Sequence, residues 1–579
     1  MPSYRIEIAD RLTHHFRVTL TLKSPAAEQA LSLPVWIPGS YLVREFARHL
    51  SDFKAHQGAR EVRLQQVDKS RWIAHCSGNA ALQVSYRVYA FDTSVRAAFL
   101  DTDRGFFNGT GLCLRAEGHE ATPHQIELAG LPREWDVATA MAALPGRARA
   151  YEAVDYDELV DHPVEMGRFW RGEFDARGVP HEFVVAGPRP AFDGDRLLAD
   201  SKAICEAQIA LWHGRGAKVR PPFERYVFLL NTVEEGRGGL EHRASTALLA
   251  PRRCLPRPGM AALTDPYVDL LGLISHEYFH AWNVKRMRPN EFAQFDYQRE
   301  NYTELLWFFE GFTSYYDDLV LLRCGAIDAP RYLALLTKTI NGVLATPGRF
   351  VQSVAQSSFD AWIKLYRPDE NSPNASISYY AKGALVGLAL DLSLRQVGSS
   401  LDAILRTLWR ATEGGPLTEA QVLHAVEEVA GRPAARELGQ WVHGTQDPPL
   451  QRLLEGAGVS VQHEPTGFGA GLGLRLSEGP VSGVQVKSVL ADSAAARAGI
   501  SAGDEILAVD GWRIRRLDEA LQWSGKDQSL ELLLVRDQRL RAATVVPDAR
   551  SPLRQQWRLG LESAASAQAL TRRRAWLGC

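Results

Sequence analysis

Cysteine is sparse and scattered: Cys76, Cys113, Cys205, Cys254, Cys324 and Cys579 are spread over 579 residues without one C-x-x-C pair. That spacing excludes a cysteine zinc site and a disulfide framework, and the expectation is a set of mostly buried thiols. No charge of either sign dominates, with 66 Lys and Arg against 68 Asp and Glu and a formal net charge of -2, so no global field draws the chain to nucleic acid or to an anionic membrane. No apolar run approaches the about eighteen residues that span a bilayer, because the stretch from Leu271 to Ile274 soon meets His276 and Glu277. The opening residues, Met1-Pro-Ser-Tyr-Arg-Ile-Glu-Ile-Ala-Asp, alternate like a first strand and lack the layout of an export signal, which predicts a cytoplasmic protein. Internal repeats and low-complexity tracts are missing too. The 45% hydrophobic and 23% charged residues are those of an ordinary globular protein, in a chain too long for a single core.

What is present changes character along the chain. Residues 1–165 hold short alternating segments, such as Phe16 to Leu22 and Leu82 to Tyr89, between Gly, Pro and Asp; this predicts an antiparallel β domain. Residues 166–260 mix strand-like runs, His181 to Val185 and Tyr226 to Leu230, with a helical stretch from Leu197 to Trp212. Residues 261–455 are mainly helical, with helices predicted over Tyr267 to Val284, Glu304 to Leu322, Tyr332 to Leu344, Lys382 to Val397, Leu401 to Ala411 and Glu419 to Val429. A glycine-rich stretch marks a boundary near 455–465, a β-like module follows over 465–548, and 549–579, with its Thr571-Arg-Arg-Arg ending, is expected to be a frayed or loosely docked tail.

Chemistry concentrates in Leu273-Ile-Ser-His-Glu-Tyr-Phe-His-Ala-Trp, an H-E-x-x-H inside an apolar helical segment. Four residues turn a helix by roughly 400°, so His276 and His280 share one face and can bind one zinc ion. Glu277, roughly 100° around the helix, then lies beside the metal, where it can take a proton from water. Leu271, Leu273, Ile274, Tyr278, Phe279 and Trp282 predict that this helix is buried, and two imidazoles and a carboxylate are costly to bury without partners. A catalytic zinc needs a third protein ligand. Glu310, alone within the aromatic run Leu305-Leu-Trp-Phe-Phe-Glu-Gly-Phe-Thr-Ser-Tyr-Tyr, is the best candidate, with Glu304, His242 and Asp317 as rivals; Asp317, two turns on, better suits support of a ligand.

The H-E-x-x-H with a downstream E-G-x-x-x-Y-Y segment resembles the gluzincin peptidases, and specifically the M61 glycyl aminopeptidase family. The stretch Trp36-Ile-Pro-Gly-Ser-Tyr-Leu-Val-Arg-Glu-Phe is similar to one near the start of that family, though on its own it reads only as a turn between strands. The resemblance implies a multidomain α+β protein: an N-terminal β domain, a thermolysin-like catalytic domain over 166–455 with an α/β lobe and a helical lobe, and a C-terminal PDZ domain. Gly238-Gly-Leu-Glu-His is similar to the G-x-M-E-N loop of the aminopeptidase N branch, which implies that Glu241 holds the free amine of the substrate, with Gly238 and Gly239 allowing a peptide to approach; His242 and Leu240 depart from that pattern. Ser378-Tyr-Tyr-Ala-Lys-Gly matches its Y-x-K-G motif, which implies Tyr380 as the oxyanion donor, with Tyr379 its immediate rival. Glu310 follows His280 by 30 positions, further than in that branch. The implied activity is hydrolysis of the first peptide bond of peptides with a free N-terminus, preferring Gly or Ala, by Glu277-assisted attack of water on one zinc ion. A zinc endopeptidase and a metal-free PDZ scaffold are the alternatives.

The segment Gly471-Leu-Gly-Leu, followed by Ala494-Ala-Ala-Arg-Ala-Gly-Ile-Ser-Ala-Gly-Asp-Glu-Ile-Leu-Ala-Val-Asp-Gly, looks like a PDZ domain. In that resemblance Gly471, Leu472, Gly473 and Leu474 form the loop that receives the terminal carboxylate of a C-terminal peptide. The alternative is a module that only stabilises or shields the catalytic lobe.

Overall fold

Strict alternation in His15–Leu22, where Phe16, Val18, Leu20 and Leu22 are buried, makes a strand with one dry face, and Leu82–Tyr89 repeats the pattern. A computed structural model describes residues 1–214, 216 and 219–578, so Cys579 lies outside the described residues. The chain forms two compact units, residues 1–302 with 408–418, and residues 303–407 with 419–579.

In the first unit, β1 (Pro2–Asp10), β2 (His15–Leu22), β3 (Leu82–Tyr89) and β4 (His124–Ala129) are central strands of a sheet ordered Ala142–Ala143, Ala150–Ala153, β4, β1, β2, β3, Leu50–Gln57, Arg60–Glu61. It is antiparallel except that β1 pairs β4 in parallel, Ser3 opposite Gln125, a departure from the fully antiparallel expectation that alternation alone does not reveal. Two four-stranded sheets complete the β domain, and a five-stranded sheet follows: β5 (Phe169–Ala176), β6 (Val179–Ala186), β7 (Tyr226–Val233), β8 (Gly238–Glu241) and β9 (Ser245–Pro251), in the order β5-β6-β7-β9-β8. Its β6, β7 and β9 run parallel, and β7 is apolar almost throughout because it is covered on both faces. Strand β8 is the outer strand, antiparallel to β9. Val184, Val227, Leu229, Leu240 and Ala247 of this sheet join the core of the β domain. Helix α1 (Gly194–His213) packs on helix α2 (Asp265–Phe279), and Gln208 Nε2 donates to both the carbonyl and the hydroxyl of Ser275 at 2.7 and 3.0 Å.

The second unit is helical and then β. A π-helical turn, Trp307–Gly311, leads into α3 (Phe312–Arg323), then α4 (Ala329–Leu344) and α5 (Tyr379–Gln396). Asp391 in α5 is fully buried yet satisfied: it accepts from Tyr315 Oη at 2.6 Å, from Arg395 and from the Leu401 amide at 2.8 Å. After Gly456 the chain enters β10 (Val459–Pro465), short helix α6 (Phe468–Gly471), and strands β11 (Leu474–Gly479), β12 (Gly483–Val489), β13 (Glu505–Val509), β14 (Leu530–Arg536) and β15 (Arg539–Val545), paired in that order. Leu474, Val486, Ile506, Leu532 and Val545 form their common core.

The ending is not frayed. Gln555–Leu561 (β16) pairs β10, and α7 (Ala567–Leu577) buries Trp576, whose Nε1 donates to Tyr315 Oη at 3.0 Å, while Arg573 donates to the Gly458 carbonyl at 3.1 Å. The arginine run reads as a solvated tail, but Trp576 and Leu577 supply the apolar surface that docks it. Of the described cysteines, Cys113, Cys205 and Cys254 are buried and Cys76 and Cys324 are partly exposed, all as free thiols. Among the described residues no helix is long and apolar enough to cross a membrane.

Candidate active site

Helix α2 starts at an N-cap, Thr264, whose side chain accepts from the Tyr267 amide, with Pro266 in the first turn, where its missing N–H costs nothing. Leu270, Leu271, Leu273 and Ile274 bury it, and Tyr278 Oη donates to His181 Nε2 at 2.9 Å, tying it to β6. The regular helix closes at Phe279 rather than at Val284, so His280 is the C-cap, still one turn beyond His276. The two rings stand 4.7 Å apart between centroids and nearly perpendicular. His280 Nδ1 lies 2.7 Å from the Asn283 carbonyl; a carbonyl only accepts, so Nδ1 carries a proton, and in the neutral ring Nε2 is then the atom with the lone pair. This is the arrangement of a metal-ligating imidazole whose tautomer is fixed from behind.

Glu277 is buried, and it faces the edge strand. A Cβ on Gly239 would lie 1.8 Å from Glu277 Oε1, so β8 passes against this carboxylate only because residue 239 lacks a side chain. Two residues on, Glu241 is buried, and its Oε1 has no hydrogen-bond partner among the described residues. Ligand atoms of Glu241, Glu277 and His280 lie within 4.8 Å of one another. Two carboxylates so close and so dry call for a cation.

Glu241 is framed from the N-terminal domain by the Trp36-Ile-Pro-Gly-Ser-Tyr turn. Gly39 has φ +92°, and a Cβ there would sit 2.5 Å from Glu241 Oε1. That turn therefore shapes the site, contrary to its reading as a plain connection between strands. Beside it, walls that include Trp36, Gly39, Tyr41, Asp161 and Lys285 leave a cavity of about 20 Å3. His242 is in neither group of ligand atoms that could share an ion among the described residues: its Nδ1 donates to Asp161 at 3.2 Å, its Nε2 is buried without a hydrogen-bond partner, and burial lowers the ring's proton affinity despite that carboxylate. Burial alone would raise the Asp161 carboxyl, but Lys285 at 2.6 Å, with His242 and Arg243, holds it well below the usual range. This buried network underlies β8, and no sequence pattern marks it, because Asp161 and Lys285 lie far apart without a shared motif.

In the second unit Glu310 is buried in the π-helical turn, a widened turn often found at functional positions. Gly311 next to it meets Gly383 of α5 backbone to backbone, a Cβ on Gly311 falling 2.6 Å from Gly383 Cα. The glycines of the E-G and Y-x-K-G segments are thus one crossing point. Burial, and next the charge of Glu310, push the Tyr380 hydroxyl well above its ordinary range, so it remains a proton donor; it lies 3.2 Å from Tyr366 Oη. Tyr379 is fully buried, its ring stacked on Tyr380. Lys382 is also buried and holds the Arg349 and Thr445 carbonyls at 3.0 and 3.1 Å, a structural role. Of the rival ligands, Glu304 is exposed and Asp317 partly so.

Three of the four amides of the Gly471-Leu-Gly-Leu loop are occupied from within. Gly471 N–H donates to the Gly467 carbonyl, Leu472 N–H to Phe468 and Gly469, and Gly473 N–H to Ala470, because 468–471 coils into α6. Gly469 packs at the side chains of Leu476 and Leu517, filling the space between β11 and the turn at Leu517–Gln522.

Family profiles match the chain in three places: the peptidase M61 N-terminal domain over residues 3–168, the M61 glycyl aminopeptidase over 269–386 and a PDZ domain over 460–532. His276, Glu277, His280, Glu310 and Tyr380 all fall within the second match; Glu241 lies outside it. An aminopeptidase N family protein from Idiomarina loihiensis is 35% identical, covers 100% of both chains and superposes with a TM-score of 0.93. An M1 zinc metallopeptidase from Deinococcus radiodurans is 16% identical over 78% of this chain and 94% of its own, with a TM-score of 0.48. Legionella pneumophila aminopeptidase A is 11% identical over 80% of this chain and 50% of its own, with a TM-score of 0.47. No curated protein matches the chain.

Proposed function

This chain belongs to the M61 glycyl aminopeptidase family of hydrolases, and we propose that it is a one-zinc aminopeptidase that removes small first residues, Gly or Ala, from peptides with a free N-terminus. The observation that carries the reading is the buried Glu241 with an unpartnered oxygen, beside Glu277 and His280. A terminal ammonium is the cation such a pair suits, and an internal peptide segment has none to offer. The preference for Gly or Ala follows the family's description as glycyl aminopeptidases.

His276, His280 and Glu310 are the proposed ligands, and the tautomer of His280 fits that task. When bound, zinc supplies Lewis acidity toward the scissile carbonyl and toward water. Glu277 accepts the proton of the attacking water and returns it to the leaving amine. Tyr380 donates its hydroxyl hydrogen bond to the developing oxyanion. Glu241 fixes the ammonium and with it the register of the chain.

The test is the ratio of kcat/KM for Gly- or Ala-p-nitroanilide to that for its N-acetylated counterpart. Losing a buried ion pair costs about 3–5 kcal/mol, so acetylation is expected to reduce the rate by about 100-fold or more. Comparable cleavage of both would favour the endopeptidase alternative.

For the C-terminal module we propose a supporting rather than a receptor role in this conformation, since three of the four loop amides, those of Gly471, Leu472 and Gly473, already have partners. The module is also tied to the helical part of its own unit: Asn374 bonds the Val489 carbonyl and the Ala491 amide, at 2.9 and 2.8 Å, and Arg475 bonds Thr346 Oγ1 at 3.0 Å. Fluorescence anisotropy with labelled C-terminal peptides should give the same weak signal for free and amidated ends. Saturable binding below about 100 μM that amidation abolishes would contradict this.

A further inference from the structure

The inference extends the aminopeptidase reading and rests on it. Strand β8 carries a direction: Glu241 marks the amine of the substrate and Glu277, against Gly239, marks the scissile bond. The leaving portion of a peptide laid along this edge therefore runs toward Gly238. At that end stands Arg96, from the loop after β3. Its Nη2 donates to the Gly239 carbonyl at 3.3 Å, and its Nη1 lies 3.5 Å from where a Cβ on Gly238 would be.

Arg96 is partly buried, its Nε is buried without a partner, and it makes no ion pair among the described residues. A guanidinium half out of water without a carboxylate is unusual, because its forked donors match a carboxylate bidentately. We propose that Arg96 receives a carboxylate on the leaving-group side, namely the terminal carboxylate of di- and tripeptides, and so makes the enzyme selective for short peptides. The reach agrees: three strand residues from Glu241 to Gly238 span roughly 10 Å, and a di- or tripeptide extends roughly 7–10 Å. Arg96 also occupies the Gly239 carbonyl, an acceptor that a longer chain adding to the edge would use.

The experiment compares kcat/KM for Gly-Phe and Gly-Phe-NH2 with the zinc-loaded wild type and with Arg96→Gln and Arg96→Lys. A charge-assisted pair predicts that wild type favours the acid by about 10- to 100-fold, mostly in KM. The preference should fall to about 1 in Arg96→Gln and recover partly in Arg96→Lys. Because the readout is a ratio within each protein, any general loosening of β8 cancels. The pair Gly-Asp-NH2 and Gly-Asn-NH2 separates the two sources of a carboxylate, and a preference confined to the acidic side chain would overturn the terminal-carboxylate assignment. Equal cleavage of Gly-Phe and its amide by wild type, or an undiminished ratio in Arg96→Gln, would overturn the proposal and leave the aminopeptidase reading standing. Failure of the zinc-loaded wild type to cleave these peptides and Gly-p-nitroanilide would overturn both.

Discussion

The Glu277→Gln protein is expected to keep its full zinc content and lose about 100- to 10,000-fold in kcat, the range a positioned general base supplies. Glutamine retains the size and one hydrogen-bonding oxygen of the side chain but accepts no proton, so the loss falls on the chemical step, with KM little changed. Steady-state kinetics with Gly-p-nitroanilide and elemental analysis of the same sample check both halves. Gly239→Ala gives an independent approach to the same group: its Cβ would lie 1.8 Å from Glu277 Oε1, so the carboxylate must swing away. Misplacing a catalytic group by about 1 Å costs on the order of 100-fold, and that loss should not add fully to the effect of Glu277→Gln in the double variant. A Glu277→Gln protein with near-normal turnover would remove Glu277 from the mechanism.

The second large effect is that of Glu310→Ala, which should empty the zinc site and take activity to background. Three protein ligands hold a catalytic zinc, and two histidines alone bind it far more weakly. Glu310 is buried in a π-helical turn braced by the contact of Gly311 with Gly383, so its carboxylate is held in place by backbone packing as well as by sequence. Glu310→Gln, which keeps the shape and removes the charge, should retain some metal at high zinc concentration. Zinc content after dialysis against a weak chelator, alongside circular dichroism to establish folding, distinguishes ligand loss from collapse. Full zinc occupancy in a folded Glu310→Ala protein would transfer the third ligand to another residue.

Sequence and structure agree where periodicity has a local cause. His276 and His280 were legible because helical spacing puts them on one face, and Leu401 to Ala411 and Leu82 to Tyr89 have the same limits in both. Helix ends were less legible: the turn after Phe279 loosens around His280, where a ring-to-carbonyl bond with Asn283 replaces regular helix. Glu310 stood out as a lone carboxylate in an aromatic run, but the π-helical turn around it depends on its packing against α5, which no local pattern records. The least legible residues are those brought in from a distance. Gly39, Arg96 and Asp161 lie in or beside the β domain and approach β8 only after folding, so their residue types carry no spacing signal. At the Gly471-Leu-Gly-Leu motif, 468–471 coil into a short helix that satisfies the amides of Gly471, Leu472 and Gly473, a local arrangement that the motif does not record.

One zinc ion held by His276, His280 and Glu310 is the proposed centre of the reaction. Anomalous diffraction on either side of the zinc absorption edge, from crystals of the zinc-loaded protein, tests this directly. The result predicted is a single peak at about 2.0–2.2 Å from His276, His280 and a Glu310 oxygen. A peak ligated by Glu241 and Glu277 in place of Glu310, or no peak beside the two histidines, would contradict it.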